Sequence, residues 1–197
     1  MKIYFHLNLS GFSNCYIIVN ENTKEALIID PGKITPEIIE HIETDNYKLT
    51  GVLVTHNHES HTNGIKTLLK IYTPVIYAAD SEIAGNGTVV LKGDGVISIA
   101  GLTIGYMSLP GHTPDSMVFK VGRILFTGDS ISSGKIGSTS SNYSKNTLIS
   151  NIKMKILSQQ EDTVLMPGHG PPTTVGAEKL YNPVIAQDYV IPPIPLS

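Results

Sequence analysis

The stretch "VTHNHESHTNG", residues 54–64, sets His56, His58 and His61 within six positions. Two histidines at i and i+2 leave extended backbone on the same side, and a third can reach in from the start of a following helix. Neutral imidazole is the commonest nitrogen donor to zinc, so the spacing points to a metal site. Surface histidine clusters share this spacing, and the reading needs further donors. The chain supplies them. His112 lies in "LPGHTPDS" (109–116), Asp129 in "FTGDS" (126–130) and His169 in "MPGHG" (166–170). Each follows an apolar run in a glycine-flanked loop, where layered α/β folds assemble sites on a rigid frame. His56, His58, His61, His112, Asp129 and His169 together form the expected metal set. His6, in a first strand, and His41, on an exposed helix, need only a structural reading.

The elements that must position these residues are short. "YIIV" (16–19) and "ALIID" (26–30) flank "NENTKE" and read as two strands joined by a polar turn. Residues 35–47 carry Ile38, Ile39 and Ile42 at helical spacing, with Thr35 as N-cap and Pro36 in the first helical position. "GVLVT" (51–55) is a buried-strand run, and residues 63–72 repeat the helical pattern through Ile65, Leu68, Leu69 and Tyr72. Strands are expected over 75–78, 88–91, 96–99, 102–109, 117–121 and 124–128. A polar loop (132–144), a helix through 148–157 and a last strand entering "MPGHG" follow. Gly111 and Gly168 are expected to serve tight turns. The tail "VIPPIPLS" (190–197) is too rich in proline for helix or central strand and reads as an extended arm. This order implies layered α/β architecture, and periodicity leaves open an open sheet or a two-sheet sandwich.

Composition narrows the class. The 197 residues are 41% hydrophobic and 16% charged, which describes a core-rich folded chain. A net charge of -3 and no long lysine or arginine run argue against a nucleic-acid partner. No stretch approaches the roughly 20 apolar residues of a membrane span, and the N-terminus lacks the apolar core of a signal peptide. The single cysteine, Cys15, excludes an internal disulfide framework, fits a reducing compartment and reads as buried. A cytoplasmic protein acting on a small-molecule substrate is the expectation.

In order along the chain, "NCYII", "IIDPG", "THNHESH", "LPGHTPDS", "FTGDS" and "MPGHGPPTTVGAEKLYNP" resemble the metallo-β-lactamase superfamily, specifically its small glyoxalase II-like hydrolases. The resemblance implies a four-layer αββα sandwich over residues 1–197, a single domain with 190–197 as its tail. It implies one metal position at His56, His58 and His112, a second at His61 and His169, and Asp129 bridging them. It further implies zinc, one ion or two, with iron(II) as the alternative, and Asp129 and His169 as catalytic residues.

Two positions depart from the family pattern His-x-His-x-Asp-His and its companion loop. The aspartate expected as the third ligand of the second position is Ser60, whose neutral hydroxyl is a poor ligand beside a carboxylate. Glu59 is directed elsewhere by its backbone position. The family's Gly-Arg-Thr-Asp loop reads Gly137-Ser138-Thr139-Ser140, without its two charges. Only Val184 to Ser197 follow the last motif, so the glutathione-binding helical domain of glyoxalase II is not expected. The resemblance therefore implies hydrolysis of a thioester or other ester-like acyl bond, with a weakened second metal position. A mononuclear iron persulfide dioxygenase using His56, His112 and Asp129, and a degenerate member that binds without turnover, are the alternatives.

Overall fold

The computed structural model describes residues 1–9, 11–83 and 87–186. Six strands, β1 (Lys2–Asn8), β2 (Ser13–Asn20), β3 (Glu25–Ile29), β4 (Lys48–Leu53), β5 (Val75–Ala78) and β6 (Thr88–Val90), form one sheet in chain order. The first three are antiparallel and the last three add in parallel, with α1 (Pro36–Glu43) crossing from β3 to β4 and α2 (Glu59–Thr62) and α3 (Ile65–Leu68) from β4 to β5. The second sheet contains β7 (Gly95–Ile99), β8 (Leu102–Ser108), β9 (Met117–Val121) and β10 (Ile124–Gly128). A short hairpin, β11 (Ile131–Ser132) and β12 (Lys135–Ile136), and α4 (Asn142–Asn151) then lead to β13 (Val164–Pro167), β14 (Thr173–Thr174) and α5 (Val175–Tyr181). The sheet order is β14-β13-β10-β9-β8-β7.

Strand alternation explains the layering. On β2, Cys15, Ile17 and Val19 face one way and join Ile38 and Ile42 of α1 and Ile65 and Leu68 of α3. Tyr16 and Ile18 face the other way and meet Met117, Phe119 and Phe126 of the second sheet. The outer face of that sheet, through Val118, Leu125 and Leu165, packs on Leu148, Ile152, Ile156 and Val175. Three apolar interfaces separate four layers, helix–sheet–sheet–helix, which settles the question that periodicity leaves open. Phe119 and Phe126 are almost wholly buried between the sheets, so truncating either to alanine costs about 3–5 kcal/mol.

The sequence-derived strands at 75–78, 117–121 and 124–128 are observed with those bounds. Helical segments differ more. The helix expected to Tyr47 ends at Glu43, and the chain turns through Asn46 at φ 54°. Thr35 is the N-cap by position, but its side chain makes no capping hydrogen bond. The helix expected over 63–72 is α-helical only for Ile65–Leu68 before it closes in turns. The loop expected over 132–144 contains the β11–β12 hairpin's second half and the start of α4, where the Ser141 hydroxyl accepts from Ser144 N–H. The last turn of that helix widens to a π-helical turn at Ile152–Ile156. The strands expected to run to Thr55, Leu91 and Leu109 end at Leu53, Val90 and Ser108. The arm expected at 190–197 lies outside the described residues.

Candidate metal centre

Both sheets end at the same edge, and their loops meet there. Asp30 follows β3, and His56, His58 and His61 follow β4; His112 follows β8, Asp129 follows β10 and His169 follows β13. All six residues expected as the metal set converge in two groups that share Asp129: His56, His58, His112 and Asp129, and His61, Asp129 and His169. Within each group one ligand atom per residue lies within 4.8 Å of the others.

Hydrogen bonds behind the rings settle which nitrogen faces the site. Thr55 spends its hydroxyl proton on Asp30 Oδ2 at 2.7 Å, so its oxygen accepts from His56 Nδ1–H at 3.0 Å and leaves Nε2 as a lone pair. His112 donates Nδ1–H to the Ser138 carbonyl at 2.8 Å, again leaving Nε2 free. His58 Nδ1 lies 2.9 Å from His56 Nε2 and 3.3 Å from His112 Nε2. Nitrogens around one tetrahedral ion with Zn–N bonds of 2.0–2.1 Å stand about 3.3 Å apart, so these three fit one ion. Asp129 Oδ2 is 3.7 Å from both His56 Nε2 and His112 Nε2 and adds the carboxylate.

The second group is built differently. His61 donates Nδ1–H to the buried Asp30 carboxylate at 3.0 Å, and its Nε2 is buried with no hydrogen-bond partner. An unpaired buried polar atom of this kind costs free energy unless a ligand meets it. Gly168 keeps the space beside it open, because a Cβ there would lie 2.5 Å from both Asp129 Oδ1 and His61 Cε1. His169, by contrast, has both nitrogens against acceptors, Asp129 Oδ1 at 2.8 Å and the Gly11 carbonyl at 3.0 Å. The donors and the open space fit a metal well in the first group and less completely in the second.

Electrostatics follow the same division. Burial, and then neighbouring His61, hold His56 far below the ordinary histidine range; burial and then His112 lower His58. These imidazoles are neutral, as ligands must be. For His61, burial works toward lowering, but the Asp30 charge, the hydrogen bond to Asp30 and the Asp129 carboxylate 3.5 Å from Nε2 outweigh it and raise the ring. The bond to Asp129 raises His169. Burial works to raise Asp129, but the bond to His169 and the His61 ring close by outweigh it and keep the carboxyl well below its usual range.

Ser60, beside His61 on α2, shows a backbone role. Its carbonyl accepts from Ser13 Oγ, and it lies where a Cβ on Gly32 would sit 1.7 Å from that oxygen. Glu59 is exposed and belongs to neither metal group, as its backbone position implies. Several residues of the site carry no signal in the sequence beyond the motifs that contain them. Asp30 backs both halves, through His61 directly and through Thr55 to His56. Asp115 accepts from Asn57 N–H and ties the His112 loop to the His56–His58 loop. Asn14 donates to the carbonyls of Pro167 and Gly170, and Tyr16 donates to Pro167, so β2 clamps the His169 loop. His6 and His41 lie apart from the centre, where their ring nitrogens meet at 3.0 Å and Tyr4 stacks on His41. Cys15 is buried, and burial raises its thiol well above the ordinary range.

A four-layer sandwich with paired histidine–carboxylate groups at the common edge of two mixed sheets defines a class of metal-binding proteins, most of them hydrolases. The sequence profile of the metallo-beta-lactamase superfamily matches residues 10–179, and the chain belongs to that superfamily. It is 32% identical to an uncharacterized protein of Mycobacterium tuberculosis (strain H37Rv), covering 87% of this chain and 92% of that protein. Hydroxyacylglutathione hydrolase GloC of Haemophilus influenzae is 29% identical over the same shares, 87% and 92%. Among solved structures, the BLEG-1 B3 metallo-beta-lactamase superposes with a TM-score of 0.82 at 24% identity, covering 94% of this chain and all of that one, which shows the shared fold. Among the described residues, no helix is long and apolar enough to cross a membrane.

Proposed function

We propose that the chain, read as one unit over residues 1–197, is a metal-dependent hydrolase of a thioester or other ester-like acyl bond in a small molecule. The observation that carries this is the convergence of three imidazole lone pairs, His56 Nε2, His58 Nδ1 and His112 Nε2, on one point beside an ionised Asp129. Such a set suits zinc, with iron(II) as the alternative. Similarity to a hydroxyacylglutathione hydrolase over most of both chains supports the acyl substrate class. The second position, at His61, Asp129 and His169, is the weaker one, because serine stands at residue 60 where the resemblance implies a ligand aspartate.

When bound, the metal lowers the pKa of a water and polarises the acyl carbonyl. The chain's own groups handle the proton. As water adds its oxygen to the acyl carbon and the thiol half departs, the Asp129 carboxylate passes the released proton on to His169 Nδ1, replacing the one that ring gives up. His169 Nδ1–H, 2.8 Å from Asp129 Oδ1, is placed to protonate the departing sulfur or oxygen. Ser138 and Asp30 keep His112 and His56 in the tautomers that face the centre. The test is a panel of acyl thioesters on protein stripped by chelation and reloaded. Zinc should restore turnover, and His112→Ala should abolish it. Oxygen consumption with a thiol persulfide by the iron-loaded protein, without ester turnover, would replace this reading with the oxygenase. Metal binding without either activity would make the chain a binding member.

A further inference from the structure

The loop after Asp129 carries no charge over residues 137–140, yet a cation stands nearby. A cavity of about 170 Å³ opens at the metal centre, lined by His112, Asp129 and His169 together with Ser132, Lys135 and Ser138. Among the described residues, Lys135 is the one lysine or arginine that lines it, and it is in no ion pair. The hairpin that carries it is built, although the Lys135 side chain itself is exposed. Lys135 pairs with Ser132 across the β11–β12 hairpin, and Glu178, 2% exposed, accepts from the turn's Gly134 N–H through both carboxylate oxygens at 3.2 Å. Thr173 Oγ1 and Asn182 Nδ2 donate to the same carboxylate at 2.7 and 2.6 Å, and Asn182 Nδ2 also reaches the Lys135 carbonyl at 3.4 Å. A buried carboxylate so fully used fixes the hairpin that carries the lysine. Gly137, just after β12, lets the chain press against the centre, since a Cβ there would lie 2.1 Å from the Asp129 carbonyl oxygen.

We propose that Lys135 is the specificity-determining cation of this site and binds a carboxylate carried by the substrate, with the Ser132 and Ser138 hydroxyls beside it. The cavity has room beside the metal centre for a small carboxylated arm of the substrate. The ammonium binds the carboxylate as a point charge with three donors, and the hydroxyls complete its coordination. This deepens the hydrolase reading and rests on it, and the carboxylate belongs to either the acyl half or the thiol half of the substrate.

The test uses the metal-loaded protein and three matched thioesters: one with a terminal carboxylate on the acyl half, one with it on the thiol half, and a neutral one. For one carboxylated ester, Lys135→Ala should lower kcat/KM relative to the neutral ester about tenfold, through KM, and Lys135→Glu should lower it further. Lys135→Arg should restore the preference. Lys92→Ala, the same charge removed outside the cavity, should leave it intact. The ester that loses its advantage identifies the half that carries the carboxylate. Calorimetric binding of succinate against its neutral diamide runs beside the kinetics. Ester turnover whose carboxylate preference survives Lys135→Ala overturns the proposal and leaves the hydrolase reading standing. No ester turnover, with succinate binding lost in Lys135→Ala, overturns the hydrolase reading and keeps Lys135 as an anion site. Equal binding of succinate to wild type and Lys135→Ala overturns the proposal whatever the kinetics show.

Discussion

The two halves of the metal centre use the same residue type in opposite ways. His56 is buried and its Nδ1–H is satisfied by a neutral hydroxyl, so the ring is neutral and presents a lone pair. His61 is just as buried, but Asp30 holds its Nδ1–H directly and Asp129 stands near Nε2, so the ring is drawn toward its charged form. His169 goes further, with both nitrogens against acceptors. Burial alone therefore does not make a histidine a ready ligand; the partner behind the ring decides. The first half is arranged to hold a cation with neutral imidazoles. In the second half a metal must compete with protons that carboxylates hold in place, and it must do so with serine at residue 60.

Breaking the shared element should have the largest effect. Asp129→Asn removes the carboxylate common to both halves, and thioester turnover should fall on the order of 10³-fold, with elemental analysis showing loss of metal. Removing the support behind both halves comes next. Asp30→Asn keeps the shape but loses the charge that orients His61 and, through Thr55, His56, and metal affinity by chelator competition should weaken about 10–100-fold. If that variant binds metal as the wild type does, Asp30 is only a structural residue. Thr55→Val sharpens the comparison, because it removes the hydroxyl behind His56 and leaves His61 bonded to Asp30. A loss of about 1 kcal/mol, several-fold in metal affinity, should then appear for the first position alone, read by following a spectroscopically visible substitute such as Co²⁺. Equal weakening of both positions would show that the halves are not separable.

Much of this was legible from residue types. Strands β5, β9 and β10 coincide with short, mostly apolar runs, five of the six donors stand in loops that follow such runs, and His61 stands on the short helix after one. The residues behind the donors were not legible, because a buried polar group's partner is set by tertiary contact. Asp30 sits in "IIDPG", 26 residues before His56, and nothing local says that the strands β3 and β4 lie side by side in parallel. The β11–β12 hairpin was equally hidden. Strands of two residues have no period to read, and the polar loop that they interrupt is what brings Lys135 to the centre. The α1 C-terminus was overextended for a related reason, since Tyr47 continues the apolar pattern but packs from a loop after the turn at Asn46.

The most direct test of the unequal halves is the number of metal ions per chain, by elemental analysis of protein purified without added metal, for the wild type and for Ser60→Asp. About one ion per wild-type chain, rising toward two in Ser60→Asp, is the expected result. Two ions per wild-type chain would contradict it, and would show that His61, Asp129 and His169 hold a second metal without help from residue 60.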